Sequence, residues 1–260
     1  MARLILWLLA FLSLNALVRV APASAEACQR PTASLPLLHL AQLKSDEVAI
    51  RFVGHATFTI QSPQGVVAAT DYNDYVRPRD VPTIATMNHA HSTHYSLRPD
   101  PGIRHVLRGW TEGAVPPTHD VQEGDMRVRN VPTNIRDNGF TAYSGNSIFI
   151  FEVAGLCIAH LGHLHHTLTP EHLAAIGQVD VLMAPVDGSY TLDLDGMMEV
   201  IGQLQPRVIL PMHWFGPSTL ERFLARMETR YPVMRLPEPM ITLSRAKLPS
   251  WPAIMVLSAP

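Results

Sequence analysis

The chain has 260 residues, 47% of them apolar and 16% charged, with a formal net charge of −2. That is enough for one sizeable core and hardly for two, it excludes a disordered chain, and no run of Lys or Arg marks a nucleic-acid footprint. The unusual count is 13 His against 20 Lys plus Arg, which points to metal or proton chemistry.

Met1-Ala2-Arg3, the apolar run Leu4 to Val18 and the small-x-small triplet Ala23-Ser24-Ala25 read as a signal peptide over residues 1–25, with the mature chain starting at Glu26. The run is shorter than the ~20 apolar residues a spanning helix needs. A periplasmic or secreted protein with no membrane span after cleavage is therefore expected. Residues 26–46, with Pro31 and Pro36 and no clear period, read as an N-terminal extension, and 47–260 as one domain. Cys28 and Cys157 lack the spacing of a zinc ribbon or a redox pair. An exported compartment permits a disulfide between them, but the apolar run around Cys157 favours a buried free thiol.

Strands are expected at Val48–Val53, Thr57–Ile60, Val66–Thr70, 83–87, 126–131, 147–153 and 156–160, the last two joined by the hairpin signal Ala154-Gly155. Thr169-Pro170-Glu171 then opens a short helix stopped by Gly177. A strand at Val179–Ala184, a helix at Asp195–Leu204, a strand at Arg207–Pro211 and a helix from Pro217 to about Tyr231 complete the pattern. A β-rich first half followed by an alternating second half predicts an α/β protein with at least one sheet covered by helices.

Histidines cluster just past three of these strands. Asn88-His89-Ala90-His91-Ser92-Thr93-His94-Tyr95 follows the strand at 83–87, His160-Leu161-Gly162-His163-Leu164-His165-His166 closes another, and His213 follows Pro211-Met212. Neutral imidazole binds Zn, Fe, Cu or Ni, and strand ends are where α/β sheets gather ligands. One such His is ordinarily a core residue; clusters at three strand ends favour a metal site built from His89, His91, His94, His163 and His213. His160, His55, His165 and His166 are candidates to support it, and Tyr95 and Asp71 are the candidate catalytic groups. His39, His105, His119 and His172 read as ordinary surface or core residues.

These segments together resemble the metallo-β-lactamase superfamily, in its branch of ascorbate-6-phosphate lactonase-like and related metal-dependent hydrolases, over about Val48 to Leu236. Gly54-His55-Ala56 with Asp71, His89-x-His91-x-Thr93-His94, Gly145-Asn146-Ser147 through His160-Leu161-Gly162-His163, and Pro211-Met212-His213 carry the likeness. The resemblance implies an αββα sandwich with a hydrolytic metal site along one edge of the sheets. It implies His89 and His91 for a first metal, and His94 and His213 for a second. Three positions depart from the family's pattern. Thr93 replaces a metal-binding Asp, His163 replaces the carboxylate that bridges both metals, and residues 131–136 offer no third His for the first site.

Two dications ~3.5 Å apart repel by about 19 kcal/mol at an effective dielectric near 20. With both family carboxylates missing, one divalent cation is expected, Zn first, with Fe, Mn or Cu open and a second metal disfavoured. Asp71, Asp74, Asp137 and Asp187 are the carboxylates able to compensate from elsewhere. The expected function is metal-dependent hydrolysis of a small-molecule ester, lactone, amide or phosphodiester. The alternatives are a non-catalytic metal-binding or sensing protein on the same fold, and an oxidoreductase with His-ligated Fe or Cu.

Overall fold

The computed structural model describes residues 43–259 apart from Ala90, Glu112, Ala114 and Asn138, together with the side chain of Asp137. The expected signal peptide, nearly all of the N-terminal extension, His39 and Cys28 lie outside the described residues.

Two mixed β-sheets stack face to face. The first has the order β13-β1-β2-β3-β4-β5 and is made of β1 (Val48–Gly54), β2 (Thr57–Gln61), β3 (Val67–Ala69), β4 (Ile84–Met87), β5 (His105–Arg108) and β13 (Met240–Leu243). The second has the order β12-β14-β11-β10-β9-β8-β7-β6. It contains β6 (Asp120–Glu123), β7 (Met126–Asp137), β8 (Phe140–Val153), β9 (Leu156–His160), β10 (Val181–Pro185), β11 (Val208–Met212), β12 (Val233–Arg235) and β14 (Ala253–Val256).

Alternation along the strands assigns each side chain to a layer. Phe149, Phe151, Ile158, Val181, Met183, Val208 and Leu210 point to the first sheet, where Ile50, Phe58, Ile60 and Ile84 meet them. Ile148, Ile150, Ala159, Leu182, Ala184 and Ile209 point the other way. Three helices cover that outer face: α1 (Pro170–Ile176), α2 (Leu194–Leu204) and α3 (Pro217–Met227), through Ile176, Met197, Val200, Ile201, Phe223, Leu224 and Met227. The fold class is the expected one. However, all three helices pack on the second sheet, and among the described residues the outer face of the first carries no helix. The small cluster of Ala69, Tyr72, Ala85, Met87 and Ile103 lies there instead.

Local chemistry accounts for the element ends. Thr169 caps α1 through a hydrogen bond from His172 N, with His172 reaching back to the Thr169 N–H, and Asp193 caps α2 by accepting from Gly196 N at 2.9 Å. Ala154 and Gly155 form the β8–β9 turn with φ of 52° and 70°. Strands β7 and β8 run well past the expected bounds, as a hairpin whose register shifts between Thr133 and Ile135. Cys157 is half-buried on β9 and forms no disulfide among the described residues. No helix among the described residues is long and apolar enough to cross a membrane.

Pairing direction positions the site. Strands β9, β10 and β11 are mutually parallel, as are β3 and β4. Carboxyl ends of parallel strands fall on one side, so the segments after β3, β4, β9, β10 and β11 collect at one edge of the sandwich.

Candidate metal centre

Four imidazoles meet at this edge. One ring nitrogen from each of His91, His94, His163 and His213 lies within 4.8 Å of all the others. His91 and His163 face each other through Nε2 at 2.8 Å, and His94 and His213 through Nε2 at 3.1 Å. Ligand atoms around a tetrahedral Zn with Zn–N of about 2.0–2.1 Å stand roughly 3.3 Å apart, so the spacing suits one ion. His94, His163 and His213 are buried, and His91 is half-buried.

Each Nδ1 is turned away from the centre onto a partner. His94 Nδ1 donates to Asp71 Oδ2 at 2.6 Å, and His213 Nδ1 donates to Asp187 Oδ1 at 3.0 Å. His91 Nδ1 lies 3.2 Å from Thr93 Oγ1, whose hydroxyl is 3.2 Å from His55 Nε2. His163 Nδ1 lies 2.6 Å from His165 Nε2. Such outward partners set the tautomer that leaves Nε2 free for a cation.

His163 is the exception. The Arg136 backbone N–H donates to His165 Nδ1 at 2.9 Å, so neutral His165 carries its proton on Nε2 and gives it to His163. His163 then holds its own proton on Nε2, and coordination through Nε2 requires the neutral ring to carry that proton on Nδ1 instead. Three rings fit a cation as they stand, and the fourth fits once its proton moves from Nε2 to Nδ1.

Burial keeps the cluster neutral. It pushes His94 and His163 well below the ordinary imidazole range, helped by their imidazole neighbours, and takes His55 to about 3 and His165 to about 4. Burial also lifts Asp71 to about 6, opposed by His160 and the Asn88 hydrogen bond. Asp187 is likewise penalised by burial, yet its hydrogen bonds with His213 and Thr191 and the Ser189 N–H hold it well below the usual carboxylate range. The two missing metal-binding carboxylates thus have counterparts one imidazole ring further out, behind His94 and His213.

Two asparagines hold the loops. Asn88 Nδ2 donates to Asp71 Oδ1 at 2.9 Å while its Oδ1 accepts from Ser147 N at 2.8 Å. Asn146 Oδ1 accepts from His163 N at 2.8 Å, and its Nδ2 donates to Thr133 Oγ1 at 2.8 Å. Gly162, with φ of +59°, runs so close to both that a Cβ there would stand 2.4 Å from Asn146 Oδ1 and from Asn88 Nδ2. This explains the Gly145-Asn146-Ser147 and Gly162-His163 motifs in physical terms. Asp71, His55 and His213 themselves adopt positive φ, at 41°, 51° and 58°.

His89 does not join the group. Its exposed ring stacks on Trp110 at 4.9 Å and 16° and packs against Tyr95 at 5.1 Å, so the expected five-histidine set becomes four in space. Tyr95, a candidate catalytic group, is half-buried in that packing, and Asp71, the other, is fully enclosed behind His94. His160 is buried and donates from Nε2 to Ala56 O at 2.9 Å, which ties β9 to the β1–β2 turn. His55 and His165 touch the cluster; His166 braces a loop by accepting from Asn134 N and donating to Thr167 O. Asp74 is taken by Ser96 and Arg77.

A cavity of about 510 Å3 opens over His91 and His163, walled by Trp110, Ile135, Arg136, Tyr143, His165 and Tyr190. Sequence reasoning passed over Arg136, Trp110 and Tyr190. Asp187, expected only as one of four carboxylates able to compensate the cation, takes that place behind His213.

Solved structures share this architecture. A protein of Thermotoga maritima described as a candidate Zn-dependent hydrolase of the metallo-β-lactamase superfamily superposes with a TM-score of 0.62 at 24% identity, over 82% of this chain and 100% of that one. A metallo hydrolase of Ignicoccus hospitalis gives a TM-score of 0.54 at 16% identity, over 82% and 96%. In sequence, a metal-dependent hydrolase of Thermoplasma acidophilum is 22% identical over 188 residues, 65% of this chain and 84% of the relative. Residues 49–213, from the first strand to the last of the four histidines, match the beta-lactamase superfamily domain, and the chain belongs to that superfamily.

Proposed function

We propose that this chain is a metal-dependent hydrolase of small organic esters, lactones, amides or phosphodiesters, with one divalent cation held by Nε2 of His91, His94, His163 and His213. One observation carries the reading: four buried or half-buried imidazoles converge while every Nδ1 is turned outward onto its own partner. Relatives named as metal-dependent hydrolases support it. When bound, such a cation polarises a carbonyl or phosphoryl oxygen and makes water more acidic.

The chain's own residues do the rest. Asp71 and Asp187 orient His94 and His213, and their negative charge compensates the cation from behind the rings. Thr93 bridges His91 to His55, which burial keeps neutral and able to accept the Thr93 proton. Trp110, Tyr143 and Tyr190 wall the approach to His91 and His163. Zinc leads among the candidate ions because the donors are all imidazole and closely spaced, with Fe, Mn and Cu following. A second cation is disfavoured, because His89 is spent on Trp110.

The second reading, a metal-binding or sensing protein without turnover, draws on the absence of any described carboxylate from the cavity wall, where a general base is expected. Elemental analysis of purified protein, followed by lactone, phosphodiester and β-lactam assays on Zn-, Mn- and Fe-loaded samples, separates the two. One metal per chain with turnover supports the hydrolase; one metal with no turnover on any substrate supports the sensor. Export rests on the N-terminal pattern alone and is tested by mass spectrometry, with an N-terminus at Glu26 expected on periplasmic or secreted protein.

A further inference from the structure

One wall of the cavity comes from the two arms of the β7–β8 hairpin beyond the register shift between Thr133 and Ile135, through Ile135, Arg136, Ala142 and Tyr143. These arms bring Arg136 to the cavity. The residue is anchored at three points: its backbone N–H on His165 Nδ1 at 2.9 Å, its Nε 3.5 Å from the same nitrogen, and its Nη2 donating to Thr191 O at 2.9 Å. The guanidinium is thus held one imidazole away from His163.

Among the described residues, Arg136 is the only Lys or Arg on the cavity wall. Among the described residues no carboxylate lines the cavity and none pairs with Arg136. Two other arginines on the segments around this edge are already engaged: Arg77 with Asp74, and Arg222 with the Asp187 carbonyl. A fixed guanidinium with spare N–H donors, in a concave site whose described lining carries no carboxylate, is built to take a planar or tetrahedral oxyanion. Trp110, Ile135 and Ala142 give the same cavity an apolar side suited to a carbon skeleton.

We infer that Arg136 is a specificity-determining residue, which selects organic substrates carrying a carboxylate or phosphate group and turns their reacting bond toward His91 and His163. The inference rests on the hydrolase reading for the word substrate, but its test reads binding alone. Phenylphosphonate, benzoate and the neutral benzyl alcohol are titrated calorimetrically into the full-length protein, with and without Zn, for wild type, Arg136→Gln and Arg136→Lys.

Arg136→Gln is expected to weaken both anions by roughly 10- to 100-fold and leave benzyl alcohol unchanged, with Arg136→Lys recovering part of the loss. Zn content stays at the wild-type value. Either anion prevailing supports the assignment, and their ratio says which oxyanion the cavity takes. Equal anion affinity in wild type and Arg136→Gln overturns it, as does wild type binding neither anion at millimolar concentration. Parallel loss of benzyl alcohol, or reduced Zn content, assigns Arg136 to packing or to holding His165 and likewise overturns it. Because no turnover is measured, a chain that hydrolyses nothing can still meet the expectation.

Discussion

Replacing Asp187 by Asn tests the support behind the metal centre with almost no change of shape. The carboxylate accepts at Oδ2 from the N–H groups of Ser189, Tyr190 and Thr191 at 3.0, 2.6 and 3.2 Å, and at Oδ1 from Thr191 Oγ1 and His213 Nδ1 at 2.5 and 3.0 Å. An amide must set its NH2 against one of these groups of donors. The three backbone donors cannot turn, so the NH2 faces His213 and Thr191. The hydroxyl rotates to accept, and His213 moves its proton to Nε2, which removes the lone pair the cation needs. Loss of such an orienting partner costs about 10- to 100-fold in metal affinity, or roughly 1.4–2.7 kcal/mol. The metal-free fold should lose a further ~1–3 kcal/mol with the charge-assisted hydrogen bonds, lowering Tm by ~2–4 °C per kcal/mol. Zn competition against a chromogenic chelator reads the first quantity, and thermal unfolding without metal reads the second, with Thr191→Val as the control that removes only a hydroxyl. Wild-type Zn affinity in Asp187→Asn, whatever happens to Tm, would refute the reasoning and leave Asp187 as a staple for the loop at 188–191.

Other outcomes follow from the same geometry. His89→Ala should leave metal content unchanged while shifting Trp110 fluorescence, because the ring stacks on indole rather than joining the cluster; elemental analysis showing lost metal would return His89 to the site. His163→Asp should bind one cation or fewer, since a bridging carboxylate at 163 has no second ligand set to bridge to once His89 is elsewhere, and two metals per chain would sink that account. Gly162→Ala should destabilise by ~2 kcal/mol or more in urea unfolding and weaken Zn binding, as the new methyl combines a left-handed backbone cost with a clash against Asn88 and Asn146. Glu152, hydrogen-bonded by Arg129 and Arg127, is held below its ordinary value of 4.5. Its folded state therefore binds the proton less readily than the unfolded chain, so its contribution is present above pH 4.5 and is lost as pH falls below it. Urea midpoints should drop less steeply below that pH in Glu152→Gln than in wild type.

The parts of this protein written locally were legible from the sequence. The Thr169 cap, the Ala154-Gly155 turn and the period-two strands around 48–60 and 147–160 depend on a few neighbouring residues. Parallel strands send their carboxyl ends to one edge, so histidines at three strand ends implied a shared site before any contact was known. Strands β5, β6, β12, β13 and β14 were not expected, being three or four residues long and held by their neighbours rather than by their own pattern. Which histidines share the centre was a tertiary decision. His89 and His91 are equivalent in the sequence motif, but Trp110 and Tyr95 offer His89 an aromatic stack, while His163 meets His91 across the gap between the sheets. The same holds for the charges behind the rings and for Arg136. Asp187 reaches His213 from 26 residues away, and Arg136 reaches the Thr191 carbonyl from 55. Such pairings exist only once β10 lies beside β11 and the hairpin bends over the edge, because hydrogen bonds between distant segments depend on the packed positions of whole sheets and leave no local trace in the chain.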